Sequence, residues 1–171
     1  VNSAIKCLRK LGIKIVKNKN FCEVTGNGIG GFKFKKNILL NAGNSGTLGR
    51  LLLALLIKSP YKVKLIGDKS LSKRDFSRVI KPMKNFGANF YPTNKETLPI
   101  TIKGSKHLKP IRFFEDKGSA QVKSSIMLGA LNIDGETLIK AKKSRDHSEN
   151  FFNFLKIPIE IKKKKYIDLI K

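Results

Sequence analysis

Apolar residues recur along the chain at two alternating spacings, one typical of helices and one typical of strands. Between residues 44 and 103 the helical spacing of three or four residues occurs twice, and short apolar runs follow each time. This segment predicts a helix at Asn44 to Ile57, a strand at Tyr61 to Ile66, a helix at Phe76 to Phe86, and strands at Ala88 to Tyr91 and Leu98 to Lys103. The predicted order is helix, strand, helix, strand, strand.

The second half of the chain repeats this order. It predicts a helix at Ser119 to Leu131, a strand at Glu136 to Ala141, a helix at His147 to Leu155, and strands near Ile157 to Ile161 and Tyr166 to Ile170. An Arg-Asp pair precedes the second helix of each copy, at Arg74 and at Arg145, which are 71 residues apart. That spacing sets the register of an internal repeat.

The start of the chain matches the end of such a repeat. Val1, Ile5, Leu8 and Leu11 form a helical stripe. Strands are predicted at Ile13 to Val16 and Phe21 to Thr25. We therefore expect an α/β (α+β) fold in one domain over residues 1–171, with a repeat tail at 1–28, complete repeats at 37–104 and 110–171, and a missing preceding segment.

The net charge of +24 raises nucleic acid as a partner, since 36 side chains are basic and only 12 acidic. Six of the basic residues are arginine, which leaves 36 − 6 = 30 lysines, scattered among abundant Asn and Ile. A/T-rich codons favour that mixture. Aromatic residues are mostly Phe in apolar positions and are not interleaved with basic residues as stacking platforms would be. No nucleic-acid partner is therefore predicted.

Nothing in the sequence indicates a membrane span, a signal peptide or a metal site. No apolar run approaches the ~18 residues that a span needs, so a cytoplasmic location is expected. Cys7 and Cys22 are interpreted as reduced core residues. His107 and His147 are isolated from other metal-ligand residues, so no metal is expected.

Two helix starts carry the candidate chemistry. Asn44-Ser45-Gly46-Thr47 and Gly118-Ser119-Ala120-Gln121 each open a predicted helix with small or polar residues. Such residues often do no more than cap the helix. They can also bind an anion, because backbone N–H groups at a helix start are unpaired and lie at the positive end of its dipole. Their recurrence with an Arg-Asp pair in each copy favours two related anion sites that face one another.

Four ordered motifs together resemble the 5-enolpyruvylshikimate-3-phosphate synthase family. They are Asn44-Ser45-Gly46-Thr47 with Arg50, the segment from Gly67 to Arg74, the segment from Gly118 to Ser124, and the segment from Ser144 to Glu149. The family's fold has two similar domains, each built from three βαβαββ units, with the active site between them. The resemblance implies two complete units plus the tail of a third, which is most of one domain.

The resemblance also implies a reaction without a cofactor. Phosphoenolpyruvate would transfer its enolpyruvyl group to the 5-hydroxyl of shikimate 3-phosphate. By motif match, the residues Ser119, Ala120, Gln121, Ser144 and Arg145 would bind shikimate 3-phosphate. Gly46, Arg74 and Gln121 would line the phosphoenolpyruvate pocket. Family members with Gly at the position of Gly46 also have room for the herbicide glyphosate.

Three further residues match the motifs without a settled role. Asn44 and Arg50 could contact substrate or be structural, with Arg50 paired to a nearby carboxylate. Lys123 could neighbour a ligand, although a solvated helix residue is the favoured interpretation. The family's acidic groups for proton transfer lie in the other domain, so no catalytic residue is assigned in this chain, and no turnover is expected from it alone.

Two other functions remain open. The related UDP-N-acetylglucosamine enolpyruvyl transferase shares the fold, but it typically carries a cysteine in its active-site loop. No cysteine lies between Lys69 and Arg74 here. An RNA-binding or RNA-end-processing protein built on similar repeats would also be basic, and salt-resistant nucleotide binding would distinguish it.

Overall fold

The structure is a computed structural model that describes residues 1–35, 37–92 and 95–162, and the backbone of 167–170. It contains helices and strands in alternation, as the sequence predicts. The helices are α1 (Asn2–Lys10), α2 (Gly46–Leu55), α3 (Ser77–Phe86), α4 (Ala120–Ala130) and α5 (His147–Phe154). The strands are β1 (Lys14–Lys17), β2 (Cys22–Thr25), β3 (Ile38–Asn41), β4 (Val63–Ile66), β5 (Asn89–Tyr91), β6 (Ile100–Lys103), β7 (Arg112–Glu115), β8 (Thr137–Ala141), β9 (Ile159–Lys162) and β10 (Ile167–Ile170).

Two four-stranded sheets share one topology. In the first the strand order is β3-β4-β6-β5, and in the second it is β7-β8-β10-β9. In each sheet the first two strands are parallel and the remaining pairs are antiparallel. The first two strands are joined through a helix, as parallel neighbours require. This arrangement is compatible with the predicted βαβαββ repeat, and the antiparallel hairpin β1-β2 after α1 is compatible with the tail of another unit.

A single hydrophobic core lies between the helices and the two sheets. Val63 and Leu65 of β4 are buried while Lys64 between them is exposed, so one face of that sheet points inward. Helix α4 packs against both α2 and α3. Gly129 allows the close approach of α4 to α3, because a Cβ there would lie 3.0 Å from the Phe86 ring. The two helix starts of interest thereby lie on helices that are in contact.

The end of α3 is as predicted. Gly87 adopts a left-handed φ of 116° as the C-cap, which glycine accommodates without steric cost. Within the described residues no helix is long and apolar enough to cross a membrane.

Three predictions from the sequence are incomplete, wrong or outside the described residues. Strands β3 and β7 were not predicted from the residues, because the exposed Leu39 in β3 and the exposed Phe114 in β7 interrupt the alternation of apolar and polar positions. Cys22 was expected in the core, but it lies exposed on β2, whereas Cys7 is buried. The exposure of Cys22 follows from the hairpin β1-β2, whose second strand is exposed along its whole length. Tyr166, the predicted start of the last strand, lies outside the described residues.

Candidate functional site

The starts of α2 and α4 are both capped by a serine. The Ser45 hydroxyl accepts a hydrogen bond from the Leu48 N–H at 3.2 Å, and the Ser119 hydroxyl accepts one from the Val122 N–H at 3.4 Å. Each bond satisfies one of the N–H groups that a helix leaves unpaired at its start. Ordinary capping therefore explains these two serines structurally.

Gln121 joins the two helix starts. Its side-chain oxygen accepts a hydrogen bond from Arg50 Nη1 at 2.8 Å. Its side-chain nitrogen donates to the Thr47 hydroxyl, also at 2.8 Å. Both the acceptor and a donor of the amide are thus engaged across the helix pair, which fixes the orientation of a group that sequence analysis placed at the centre of the site.

Two guanidinium groups converge on Gly46, the first residue of α2. A Cβ atom at this buried glycine would lie 3.1 Å from Arg50 Nη1 and 3.3 Å from Arg74 Nη1. The Arg50 guanidinium also lies 5.2 Å from the centre of the Phe76 ring and donates to the Asp75 carbonyl at 3.1 Å. The absence of a side chain at Gly46 is what allows the two cations to approach the helix start.

The electrostatics of Arg50 reflect this crowding. Burial lowers its pKa below the ordinary arginine value, and the nearby cations Arg74 and Arg78 lower the pKa further, while Asp75 opposes them. Sequence analysis considered an ion pair between Arg50 and a carboxylate. Within the described residues Arg50 forms no such pair, and it bonds instead to an amide and a backbone carbonyl.

A chain of polar contacts holds Arg74. Its guanidinium donates to the Asn44 side-chain oxygen at 3.3 Å, and the Asn44 amide nitrogen donates to Asp68 Oδ2 at 2.6 Å. The second oxygen of Asp68 accepts from the Leu71 N–H at 2.7 Å. These hydrogen bonds lower the pKa of Asp68, with the bond from Leu71 the largest cause. Asn44 is therefore a link between a loop carboxylate and Arg74.

On the other side of Gln121 lies an open cleft of about 420 Å³. Ala120, Gln121 and Arg145 line it, and these are three of the five residues that motif match groups around one substrate. The remaining lining residues come from α2, α4 and α5: Thr47, Leu51, Ser124, Leu128, His147, Ser148, Phe151 and Phe152. The lining includes both polar and apolar side chains, and Arg145 is exposed. The cleft combines a cation, hydroxyls and an apolar floor.

Three predicted residues, Ser119, Ser144 and Lys123, do not line the cleft. The Ser144 hydroxyl is buried without a hydrogen-bond partner in the described part of the chain, so it does not line the cleft in this arrangement. Lys123 was expected to be solvated, and that interpretation is wrong: only 5 % of it is exposed, and its ammonium pairs with the buried carboxylate of Glu149. The spacing of Lys123 along α4 turns it toward α5 and away from solvent, and the pair ties these two helices together.

The structure thus brings most of the predicted residues around one centre. Gln121 bonds to Arg50 and also lines the cleft that contains Ala120 and Arg145. The guanidinium groups of Arg50 and Arg74 both approach Gly46. The sequence did not predict the side-chain partners of three residues: Thr47, Asp68 and Glu149. Each lies inside a quoted motif, so its position was noted although its partner was not. No cluster suited to a metal ion occurs among the residues that the structure describes.

Comparisons with known proteins agree on one family. The model of the family EPSP synthase (3-phosphoshikimate 1-carboxyvinyltransferase) matches residues 1–170. The 3-phosphoshikimate 1-carboxyvinyltransferase of Streptococcus mutans is 40 % identical over 152 residues, which is 88 % of this chain and 35 % of that protein. The protein of the same name from Vesicomyosocius okutanii is 40 % identical over 166 residues, or 96 % of this chain and 38 % of that protein.

A solved structure extends the similarity to three dimensions. The EPSP synthase of Acinetobacter baumannii superposes with a TM-score of 0.89 at 34 % sequence identity, and the match covers 99 % of this chain and 38 % of that one. The chain therefore spans little more than a third of the length of the relatives that it matches.

Proposed function

Because this chain belongs to the EPSP synthase (3-phosphoshikimate 1-carboxyvinyltransferase) family, we propose that it forms part of the substrate cleft of such an enzyme. The reaction would transfer the enolpyruvyl group of phosphoenolpyruvate to the 5-hydroxyl of shikimate 3-phosphate. The observation that carries the proposal is the position of Gln121, which is bonded to Arg50 on one side and lines the cleft containing Arg145 on the other. A single amide thereby borders two places suited to anions.

Shikimate 3-phosphate is assigned to the cleft beside α4. Ala120 and Gln121 would face the ring, and Arg145 would pair with the phosphate as a forked donor. Ser119 would contribute through the helix start that it caps. Ser144 would reach the phosphate only after a change in the loop before α5, because its hydroxyl is buried in the present arrangement.

Phosphoenolpyruvate is assigned to the other side of Gln121. Arg50 and Arg74 both approach Gly46, so a dianion placed there would meet two guanidinium groups and the start of α2. Asn44 would hold Arg74 in position through its bond to Asp68. This assignment gives Arg50 a direct role in the site rather than a purely structural one.

The proposal gives this chain binding groups and no acid or base for the chemical step. Proton transfer would come from a second domain of the same enzyme, with closure of the two domains completing the site. A cytoplasmic location and the absence of a nucleic-acid partner belong to the same proposal. The isolated 171 residues should therefore bind shikimate 3-phosphate without turnover, and phosphate release at steady state from both substrates would contradict this.

Calorimetric titration of the chain with shikimate 3-phosphate tests the proposal. Shikimate, which lacks the phosphate, should bind at least about tenfold more weakly, because a charge-assisted pair contributes ~1.5–3 kcal/mol. Arg145→Gln should remove most of that difference. Lys64→Gln is the matched control, since it removes one charge from an exposed position on β4.

Titration of the chain with two other ligands tests the alternative functions. Affinity for UDP-N-acetylglucosamine with none for shikimate 3-phosphate would favour the related enolpyruvyl transferase. Oligonucleotide binding that persists at high salt, again without shikimate 3-phosphate binding, would favour a nucleic-acid function. Either result would overturn the proposed function.

A further inference from the structure

A buried carboxylate lies behind the loop that precedes α4. Glu115, the last residue of β7, is only 3 % exposed, and its two oxygens accept three hydrogen bonds. Oε2 accepts from the Ser119 N–H at 2.8 Å, and Oε1 accepts from the Lys117 N–H at 3.2 Å. The third donor is Arg78 Nη2 on α3, at 2.6 Å from Oε1.

These contacts fix the segment from residue 116 to 119. Gly118 within it has a left-handed φ of 68°, and a Cβ there would lie 3.1 Å from the Lys143 carbonyl oxygen. The segment therefore turns sharply and passes close to the loop that leads to Arg145. Because Ser119 is the N-cap of α4, the bond from its N–H to Glu115 sets where that helix begins.

The charge of Glu115 has a second consequence. A carboxylate at a helix start is itself stabilised there, but it repels any further anion that approaches the same end. Arg78 is the only residue within the described part of the chain that forms an ion pair with Glu115. Its cationic field also reaches Arg50, whose pKa it helps to lower. Arg78 thus pairs with a buried negative charge and also acts electrostatically on Arg50.

We propose that Glu115 and Arg78 are positioning residues for the substrate phosphate at α4. Glu115 holds the loop at the helix start through the Ser119 N–H, and Arg78 neutralises Glu115 so that the phosphate is not repelled. This inference rests on the proposed function, because it takes shikimate 3-phosphate as the anion bound beside Ser119 and Gln121. Neither residue needs to touch the substrate.

The test compares affinities for shikimate 3-phosphate, by calorimetry, at low and at high salt. Arg78→Met should weaken binding about fivefold at low salt, because it exposes the charge of Glu115, and the ratio to the unaltered chain should shrink in ~0.5 M salt. Lys81→Met is the matched control. Lys81 is an exposed cation on the same side of α3, but it does not pair with Glu115. Its replacement should change the affinity less than about twofold.

Glu115→Gln tests the positioning role. The single amide oxygen should take the Oε1 position, where two donors, Arg78 and the Lys117 N–H, require an acceptor. The amide nitrogen then faces the Ser119 N–H and cannot accept from it, so hydrogen exchange at Ser119 should become faster. The affinity loss of this variant should persist at high salt, since it comes from geometry. In the Glu115→Gln background, Arg78→Met should have no additional effect, because there is no longer a charge to neutralise.

The outcomes separate the two levels of inference. Failure of the unaltered chain to bind shikimate 3-phosphate would overturn the proposed function, whereas the exchange at Ser119 would still report on Glu115. Normal binding by the unaltered chain together with an Arg78→Met loss that is equal in both backgrounds would overturn the neutralising role. Unchanged exchange at Ser119 in Glu115→Gln would overturn the positioning role.

Discussion

Replacement of Gly46 by alanine tests whether the two guanidinium groups act together. The new methyl group would lie 3.1 Å from Arg50 Nη1, 3.3 Å from Arg74 Nη1 and 3.6 Å from Leu71 Cδ1. The first two distances are shorter than ordinary contacts, so each guanidinium must withdraw by a few tenths of an ångström. The backbone is helical at this position and does not require glycine.

The expected effects on folding and on binding differ in size. Alanine favours a helix over glycine by up to ~1 kcal/mol, which offsets a rotamer adjustment of ~0.5–1.5 kcal/mol in the flexible arginines. The free energy of unfolding should therefore change by less than about 1 kcal/mol. For an anion at Gly46, loss of one well-placed charge-assisted bond weakens binding by ~1.5–3 kcal/mol, which corresponds to about tenfold or more in affinity.

Urea unfolding and phosphoenolpyruvate titration in the presence of shikimate 3-phosphate measure these two quantities. Gly26→Ala is the matched control, because nothing lies within 4 Å of a Cβ at that position. In an enzyme that carries this chain with its second domain, the inhibition constant of glyphosate should also rise in Gly46→Ala. Equal phosphoenolpyruvate affinities and equal glyphosate inhibition constants for Gly46→Ala and the unaltered protein would refute the reasoning.

Three further predictions concern side chains around the site and in the core. A thiol reagent should label Cys22 rapidly and Cys7 slowly in the folded chain, as read by mass spectrometry of the labelled peptides, because burial raises the pKa of the Cys7 thiol and only 1 % of it is exposed. NMR titration should give Asp68 a pKa below the ordinary aspartate value, chiefly because its carboxylate accepts a hydrogen bond from the Leu71 N–H. Since its folded-state pKa is lowered, its contribution to stability should be present above the unfolded-state pKa and be lost as the pH falls through the folded-state pKa. Lys123→Met should lower the free energy of urea unfolding by ~3 kcal/mol or more, with partial recovery on adding Glu149→Gln, because the single change leaves a buried carboxylate unpaired.

The long elements could be predicted from the sequence because their periodicity is strong. Helix α3 begins at Ser77, one residue after the predicted start, and both end at Phe86. Arg74 lies three residues before α3 and Arg145 two residues before α5, which is compatible with the predicted repeat. By contrast, β7 exposes Phe114 and buries Glu115, so its sequence lacks the alternation of apolar and polar residues that predicts a strand.

The partners of polar side chains could not be predicted in the same way. Lys123 looks like a surface residue by type, and only the packing of α4 against its neighbours turns it inward to Glu149. Residue type likewise suggested a buried Cys22, although its strand has no second layer over it within the described residues. Contacts such as Gln121 with Thr47 join residues 74 positions apart, so they depend on how α2 and α4 pack.

The arrangement of Arg50 and Arg74 affects the free energy of the empty site. Among the described residues, neither Arg50 nor Arg74 has a carboxylate within ion-pair distance, although their guanidinium groups approach the same glycine. Two like charges near one glycine, which Asp75 offsets only in part at Arg50, raise the free energy of the empty site, and burial of Arg50 increases that free energy. An anion bound at Gly46 would remove this repulsion. Under the proposed function, binding would gain from a charge pattern that folding has already assembled, and ligand affinity and fold stability would be linked through these two arginines.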